Sequence, residues 1–104
     1  MKLPLLFTYG TLQDPQVQQY VFGRILEGQA DQLPSYKWFE NAVYERYPLV
    51  RPTTNSNDFV DGMVYELNNE DLKICDVYET SAYTRKLITL VSGREAWVYV
   101  ENSG

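Results

Sequence analysis

The sequence predicts a single α+β domain, mostly β-strand, with two short helices and a sheet able to close into a barrel. Its 104 residues are the length of one ordinary domain, spanning residues 1–104. With 44% hydrophobic and 14% aromatic residues, the chain can build a core without disulfide or metal support. Segments with strand and helix patterns follow one another in the order β-α-β-β-β-β-α-β-β.

The first strand and the first helix are predicted near the N-terminus. The apolar run Leu3–Thr8 favours a strand, and the loop Tyr9–Leu12 ends it because its glycine permits backbone conformations that other residues resist. Asp14-Pro15 is typical of a helix start, since aspartate caps free N–H groups and proline fits the first turn. The helix is therefore expected over residues 15–22. Its apolar residues at helical spacing are Val17, Tyr20 and Val21.

Segments with strand patterns follow in the middle of the chain. Arg24–Leu33 alternates imperfectly, and Gly28 is expected at a bulge or at a barrel corner. Tyr36–Tyr44 is rich in aromatic residues and is interrupted at Glu40-Asn41. Tyr47–Val50 is expected to be a short edge strand or an extended segment, because its proline cannot donate a hydrogen bond to a central ladder.

The C-terminal half predicts a strand, the second helix and a closing hairpin. Phe59–Leu67 alternates well, and Gly62 is expected where another backbone or a ligand comes close. Asn68 or Asn69 can cap a helix over residues 70–78, whose acidic first turn suits the positive end of the helix dipole. The last two strand runs, joined by a Ser-Gly turn, are Leu87–Val91 and Ala96–Val100.

Charge and hydropathy limit the kinds of partner. Nine Lys and Arg against fourteen Asp and Glu give a net charge of −5, which repels nucleic-acid phosphates and anionic lipid headgroups. The apolar runs are far shorter than the ~20 residues that a membrane span requires, and the N-terminal run lacks a signal-peptide cleavage site. We therefore expect a cytoplasmic protein that binds neither nucleic acid nor membrane. The sequence leaves its oligomeric state open.

The residue types narrow the possible chemistry further. The chain contains no histidine and a single cysteine, Cys75, which excludes histidine-based triads and an intrachain disulfide. We expect no metal and no cofactor, because imidazole ligands are absent and Cys75 lies on the core-facing side of a predicted helix. Any reaction must then use carboxylates, hydroxyls, backbone amides or groups of the substrate.

Two segments could carry such chemistry, and each also has a plainer interpretation. The loop Tyr9–Leu12 places N–H groups around a glycine and near a helix start, where an anion can bind, but the pattern also fits a simple turn. In the segment Asp76–Arg85, a Glu79 held in an apolar, tyrosine-lined pocket would have a raised pKa, as a general base needs. The alternative is a solvated helix end in which Arg85 pairs with Asp76 or Glu79.

Both segments belong to a set of five motifs that follow one another over nearly the whole chain. They are Tyr9-Gly10-Thr11-Leu12, Tyr47-Pro48-Leu49-Val50, Val60-Asp61-Gly62-Met63-Val64-Tyr65, Ile74-Cys75-Asp76-Val77-Tyr78-Glu79 and Tyr83-Thr84-Arg85. In residues and spacing this set resembles the gamma-glutamylcyclotransferase-like family, which includes plant avirulence-induced proteins and small bacterial homologues. One position departs from the family pattern: Thr80 stands where glycine is usual, so the pocket rim is expected to differ.

The resemblance implies a small mixed β-barrel with two or so short helices, and a pocket in which the Tyr-Gly-Thr-Leu loop faces Glu79. It implies that the backbone N–H groups of Gly10, Thr11 and Leu12 bind the carboxylate of a small γ-glutamyl substrate. Glu79 is then the catalytic acid and base. Either Tyr83 or a loop N–H would stabilise the oxyanion. The remaining residues assigned on this basis are Tyr9 for substrate binding, with Asp76 and Arg85 in support.

The reaction implied by the resemblance needs no nucleophile from the protein. The α-amine of a γ-glutamyl compound reaches its own γ-carbonyl through a five-membered ring, which releases 5-oxoproline and an amine or amino acid while Glu79 moves protons. Two other functions stay open. The same pocket could hold a small molecule without turnover, as a binding or regulatory module. Aromatic residues could instead form an interaction surface, namely Trp38, Phe39, Tyr44 and Tyr47.

Overall fold

The computed structural model of the chain describes residues 3–43, 47–79 and 82–101. Over these residues the elements follow the order expected from the sequence, which confirms the α+β class. The strands are β1 (Leu5–Thr8), β2 (Gly28–Pro34), β3 (Tyr36–Val43), β4 (Tyr47–Pro52), β5 (Phe59–Glu66), β6 (Tyr83–Thr89) and β7 (Glu95–Glu101). The helices are α1 (Pro15–Phe22) and α2 (Asn69–Glu79), and a short 3-10 turn spans Thr11–Gln13.

The described strands form two sheets, and the larger one does not close into the expected barrel. The five-stranded sheet has the order β2-β5-β1-β7-β6, with only β1 and β7 parallel, and β3 pairs with β4. Its two edges approach at one end, where the Val91 N–H donates to the Gln32 carbonyl over 3.0 Å. Ser92 Oγ also donates to Asp31 Oδ2 over 2.5 Å. These contacts join the turn after β6 to the edge strand β2. They do not form a ladder of paired strands, so the sheet stays open although its two edges touch at this end.

Both faces of the five-stranded sheet are covered. Leu6 and Phe7 are each 1% exposed although neighbouring strand residues point to opposite faces, so β1 is buried on both sides. On the Phe7 side the core includes Val50 of β4. On the Leu6 side it includes Leu72 and Cys75 of α2, which confirms the core-facing position expected of the cysteine. The sheet therefore lies between the helices and the β3–β4 hairpin.

Both helices begin at the caps that the sequence indicates. Asp14 Oδ1 accepts the Gln16 N–H over 2.8 Å, and α1 ends at Gly23, whose φ of 72° is left-handed. At α2, Asn68 and Asp71 each accept the backbone N–H of the other, over 2.8 and 3.0 Å, as in a capping box. None of the described helices is long and apolar enough to cross a membrane.

One assignment on α1 is wrong. Tyr20, expected on the apolar face, is 86% exposed. The buried residue is Gln18, which donates from Nε2 to the Leu12 carbonyl over 2.8 Å and accepts the Leu26 N–H over 2.9 Å. A buried amide is stable here because both its donor and its acceptor are satisfied. Val17 does pack, as expected, against the core between the sheet and the helices, which we call the helical-side core and which includes Leu6, Leu72 and Cys75.

Glycines mark two close approaches. A Cβ on Gly62 would lie 2.5 Å from the Thr8 carbonyl oxygen, which confirms the expected contact with another backbone. Gly28 forms no bulge, since the register of β2 on β5 is continuous from Gly28 onward. Its Cβ would lie 2.5 Å from the Tyr65 ring, so glycine there makes room for an aromatic side chain.

The bounds of β2 and β6 differ from the expectation. β2 begins at Gly28 rather than at Arg24, and β6 spans Tyr83–Thr89 rather than Leu87–Val91. The pairing of β6 along β7 from Tyr83 explains the earlier start, because neighbouring hydrogen bonds extend a strand through residues without clear alternation. β3 and β4 pair with a register shift between Phe39 and Val43, which coincides with the interruption expected at Glu40-Asn41. Tyr44 and Thr80 lie outside the described residues.

Candidate active site

The structure brings together the two segments that the sequence singles out. One is the loop of residues 9–12, which leaves β1, and the other is the C-terminal end of α2. Their hydroxyl groups meet directly, with Thr11 Oγ1 2.9 Å from the Tyr78 hydroxyl oxygen across 67 residues of sequence. Glu79 is the next residue along and the last of α2. The loop and the carboxylate therefore lie on the same side of the molecule.

The loop offers amide groups that the described part of the chain does not use. It closes through two turn bonds, from the Gln13 N–H to the Gly10 carbonyl (3.2 Å) and from the Asp14 N–H to the Thr11 carbonyl (2.9 Å). The N–H groups of Thr11 and Leu12 donate to no described residue, and that of Gly10 has only a long contact of 3.5 Å to Thr8 Oγ1. These groups can bind a carboxylate.

The loop is held by its side chains more than by its glycine. Gly10 has a φ of −129°, which is not left-handed, and an added Cβ would contact Pro48 Cγ at an ordinary 3.6 Å. The left-handed freedom of glycine is therefore not what this turn uses. Leu12 is 2% exposed in the helical-side core, and its carbonyl is bound by Gln18. The core thus fixes the end of the loop that follows the free amides.

Glu79 lies in a partly buried position that changes its acidity. Burial raises the pKa of its carboxyl from 4.5 to about 7. None of the ion pairs between described residues involves Glu79. A carboxyl with this pKa exchanges a proton near neutral pH, which is the property required of a general acid and base.

Two tyrosines border the same space. The Tyr9 hydroxyl donates to the Tyr99 carbonyl over 2.5 Å, and the Tyr83 hydroxyl donates to the Pro48 carbonyl over 2.7 Å. Burial raises the pKa of Tyr9, and the proximity of Tyr83 and Glu79 raises it further. Tyr9 is therefore a neutral wall of the site beside Glu79. In this arrangement the Tyr83 proton is committed to Pro48, which favours a loop N–H over Tyr83 as the oxyanion donor.

Asp76 and Arg85 pair with each other, one helical turn away from Glu79. Arg85 Nη2 donates to Asp76 Oδ2 over 3.1 Å, and the Tyr99 hydroxyl donates to Asp76 Oδ1 over 2.7 Å. The Arg85 guanidinium also stacks on the Trp97 ring, with 4.5 Å from Cζ to the ring centroid. The sequence left open whether Arg85 pairs with Asp76 or with Glu79 at a solvated helix end. The structure shows the pair with Asp76. Asp76 and Glu79 therefore have separate environments.

Neither a reactive thiol nor a metal-binding cluster is found among the described residues. Burial raises the pKa of the Cys75 thiol to about 12, and the nearby Glu79 carboxylate adds to the shift, so Cys75 is not a ready nucleophile. Within residues 3–43, 47–79 and 82–101, no group of three or more His, Cys, Asp or Glu could hold a metal ion. Three further residues that the sequence motifs did not assign to the site also lie beside it, namely Pro48, Trp97 and Tyr99. The alternation of Trp97 and Tyr99 on β7 was an available signal that both face the same side.

The chain is similar to a known protein family and to several solved structures. The family described as gamma-glutamyl cyclotransferase, AIG2-like matches residues 6–103. A solution structure from Arabidopsis thaliana is similar with a TM-score of 0.85 and 24% identity, over 99% of this chain and 71% of the other. A second A. thaliana solution structure has a TM-score of 0.83 and 21% identity, over 98% and 64%. A structure titled gamma-glutamyl cyclotransferase has a TM-score of 0.76 and 15% identity, over 96% and 67%. A comparison with curated protein sequences gave no match.

Proposed function

Because the chain belongs to the gamma-glutamyl cyclotransferase, AIG2-like family, we propose that it is a metal-independent enzyme acting on small γ-glutamyl compounds. The proposed products are 5-oxoproline and a free amine or amino acid. The observation that carries the proposal is the partly buried Glu79, whose carboxyl has a pKa of about 7 and lies beside the loop of residues 9–12, where backbone N–H groups face no described acceptor. The combination supplies a proton carrier and an anion-binding site in one place.

The substrate supplies its own nucleophile in this mechanism. The Glu79 carboxylate takes one proton from the substrate α-ammonium, and the freed amine attacks the γ-carbonyl carbon to form the five-membered ring. The protonated Glu79 then gives its proton to the departing nitrogen as the original C–N bond breaks. The extra proton on the ring nitrogen passes to the released amine through solvent. Glu79 returns to its starting carboxylate form.

Intramolecular attack and proton transfer both favour such a reaction. Well-oriented intramolecular reactions reach effective molarities of about 10⁵–10⁸ M, and general acid–base assistance adds about 10²–10⁴-fold. The N–H groups of Thr11 and Leu12, which donate to no described residue, are the proposed carboxylate site, with Gly10 beside them. Tyr9 and Tyr83 form the proposed wall around the reacting carbons. Binding the substrate carboxylate at the loop would orient its α-amine for attack.

A direct assay tests this proposal. The protein is incubated with a panel of γ-glutamyl amino acids, γ-glutamyl amines and glutathione-like peptides, and 5-oxoproline is detected by mass spectrometry. We expect 5-oxoproline from at least one compound, with and without a chelator. If no compound is turned over while one binds in calorimetry, the protein is the non-catalytic module instead.

A further inference from the structure

A surface groove lies beside the proposed catalytic site. It is a groove of about 460 Å³, within the size range of small-ligand sites. It shares Tyr83 with the proposed substrate wall, and its Asp76 lies one helical turn before Glu79. We call it the α2–β7 groove, and its lining residues are Asp76, Tyr83, Thr84, Arg85, Trp97 and Tyr99. Its position suits the part of a substrate that extends beyond the γ-carbonyl.

Arg85 is a fixed cation in the α2–β7 groove. The ion pair with Asp76 and the stacking on Trp97 hold the plane of its guanidinium, and its side chain is 24% exposed. A guanidinium has five N–H donors, yet within the described residues Arg85 makes a single hydrogen bond, from Nη2 to Asp76. Donors therefore remain for a ligand in the groove. A planar guanidinium held in this way is well suited to a carboxylate.

The charges in the groove favour a carboxylate over an ammonium group. Both oxygens of Asp76 already accept hydrogen bonds, Oδ1 from Tyr99 and Oδ2 from Arg85. A ligand ammonium would have to compete with both donors for the same carboxylate. A ligand carboxylate needs only the unused donors of Arg85, and among the described lining residues the charges of Asp76 and Arg85 cancel.

We propose that the α2–β7 groove binds the leaving amino acid of the substrate and that Arg85 recognises its carboxylate. This inference rests on the proposed cyclotransferase function. It assigns γ-glutamyl amino acids or peptides as the preferred substrate class, ahead of γ-glutamyl amines that lack a carboxylate at this position. Arg85 is then a specificity-determining residue, separate from the proton transfers at Glu79.

The test compares two substrates that differ in one carboxylate, γ-glutamyl-alanine and γ-glutamyl-ethylamide. For the wild type we expect kcat/KM to be about 10- to 100-fold higher for γ-glutamyl-alanine, the range of a charge-assisted hydrogen bond. Arg85→Gln should remove this preference by raising KM for γ-glutamyl-alanine much more than KM for γ-glutamyl-ethylamide. Arg85→Lys should keep part of the preference, since it retains the charge without the planar fork.

Arg51 provides a matched control. It too pairs with a carboxylate, Glu101 at 2.8 Å, and stacks on an aromatic ring, Phe39 at 5.0 Å, but it does not line the groove. Arg51→Gln should leave the substrate preference unchanged. Equal wild-type rates with both substrates would overturn the inference and leave the cyclotransferase function standing. An equal loss with both substrates in Arg85→Gln would assign Arg85 a structural role only.

Two further outcomes separate the remaining explanations. A γ-glutamyl diamine preferred over γ-glutamyl-ethylamide, with the preference lost in Asp76→Asn, would show that the groove binds an ammonium group and would refute the carboxylate assignment. The absence of 5-oxoproline from every substrate would refute the cyclotransferase function itself, and the inference with it.

Discussion

Thr11 Oγ1 and the Tyr78 hydroxyl oxygen lie 2.9 Å apart and tie the amide-bearing loop to the end of α2. The contact is exposed to solvent, so it adds little to the stability of the fold. The contact instead positions two parts of the proposed site relative to each other. Thr11 belongs to the amide-bearing loop, and Tyr78 is the residue directly before Glu79. The distance between the proposed carboxylate site and the proposed base depends on this contact.

We expect Tyr78→Phe to weaken substrate binding without unfolding the protein. Removing the hydroxyl should cost less than about 1 kcal/mol of stability and raise KM several-fold, since the loop loses its tie to the helix. Steady-state kinetics and urea unfolding measure the two effects. Tyr20→Phe is the control, because Tyr20 is 86% exposed. Identical kinetics in both variants would show that the contact has no part in positioning.

Glu79→Gln tests the proposed base while keeping its size and polarity. We expect turnover to fall by about 100-fold or more, the scale of lost general acid–base catalysis, with an unchanged circular dichroism spectrum. Glu70→Gln is a control on the same helix, where Glu70 is exposed and pairs only loosely with Lys73 at 3.7 Å. If Glu79→Gln kept turnover within about threefold of the wild type, Glu79 would not be the base.

Much of the fold could be predicted because its signals are local. Asp14, Gly23 and Asn68 mark helix ends through short-range hydrogen bonds and backbone conformation, which a sequence displays directly. The open sheet could not be predicted, because closure depends on whether the edges β2 and β6 pair along a ladder. The burial of Gln18 was equally hidden, since its partners come from residues outside the helix.

The candidate site was only partly accessible to sequence reasoning. The motifs indicated Glu79 and the loop of residues 9–12, and the structure places them near each other. The sequence left open which carboxylate pairs with Arg85. The choice of Asp76 depends on the direction in which each side chain leaves α2 and on Tyr99, which arrives from a distant strand. Such three-dimensional neighbours have no signature in the spacing of residues.

The pH dependence of activity should report the acidity of Glu79. Its pKa of about 7 means that the base form, which accepts the ammonium proton, is lost as the pH falls below 7. We expect kcat/KM to fall about tenfold per pH unit on the acid side and to level off above pH 7. Rates measured from pH 5 to 8 at constant ionic strength would give the apparent pKa. A midpoint near 4.5 would mean that burial does not perturb the group.

Stability should depend on pH in the opposite direction. Glu79 has a higher pKa folded (about 7) than unfolded (4.5), so the folded state binds more protons and loses stability as the pH rises between these values. Glu79→Gln removes this loss, so the variant should gain stability over the wild type from pH 4.5 to 7, by at most about 3 kcal/mol. Asp31 and Asp71 have lowered pKa values in both proteins, so their contributions cancel. Urea unfolding at several pH values measures the difference, and a constant difference would contradict the raised pKa.

Gln18 should be the polar side chain on α1 whose loss costs the most stability. It is 1% exposed and binds the Leu12 carbonyl and the Leu26 N–H at 2.8 and 2.9 Å. Gln18→Ala leaves the buried Leu12 carbonyl and the partly buried Leu26 N–H without these partners and opens a cavity, so we expect a loss of about 2–4 kcal/mol in urea unfolding. Gln19→Ala at the exposed neighbouring position should change stability by less than about 0.5 kcal/mol. Because the Leu12 carbonyl anchors the proposed carboxylate loop, Gln18→Ala should also raise KM at temperatures where it remains folded. Equal stability of the two variants would show that the buried amide contributes no net free energy.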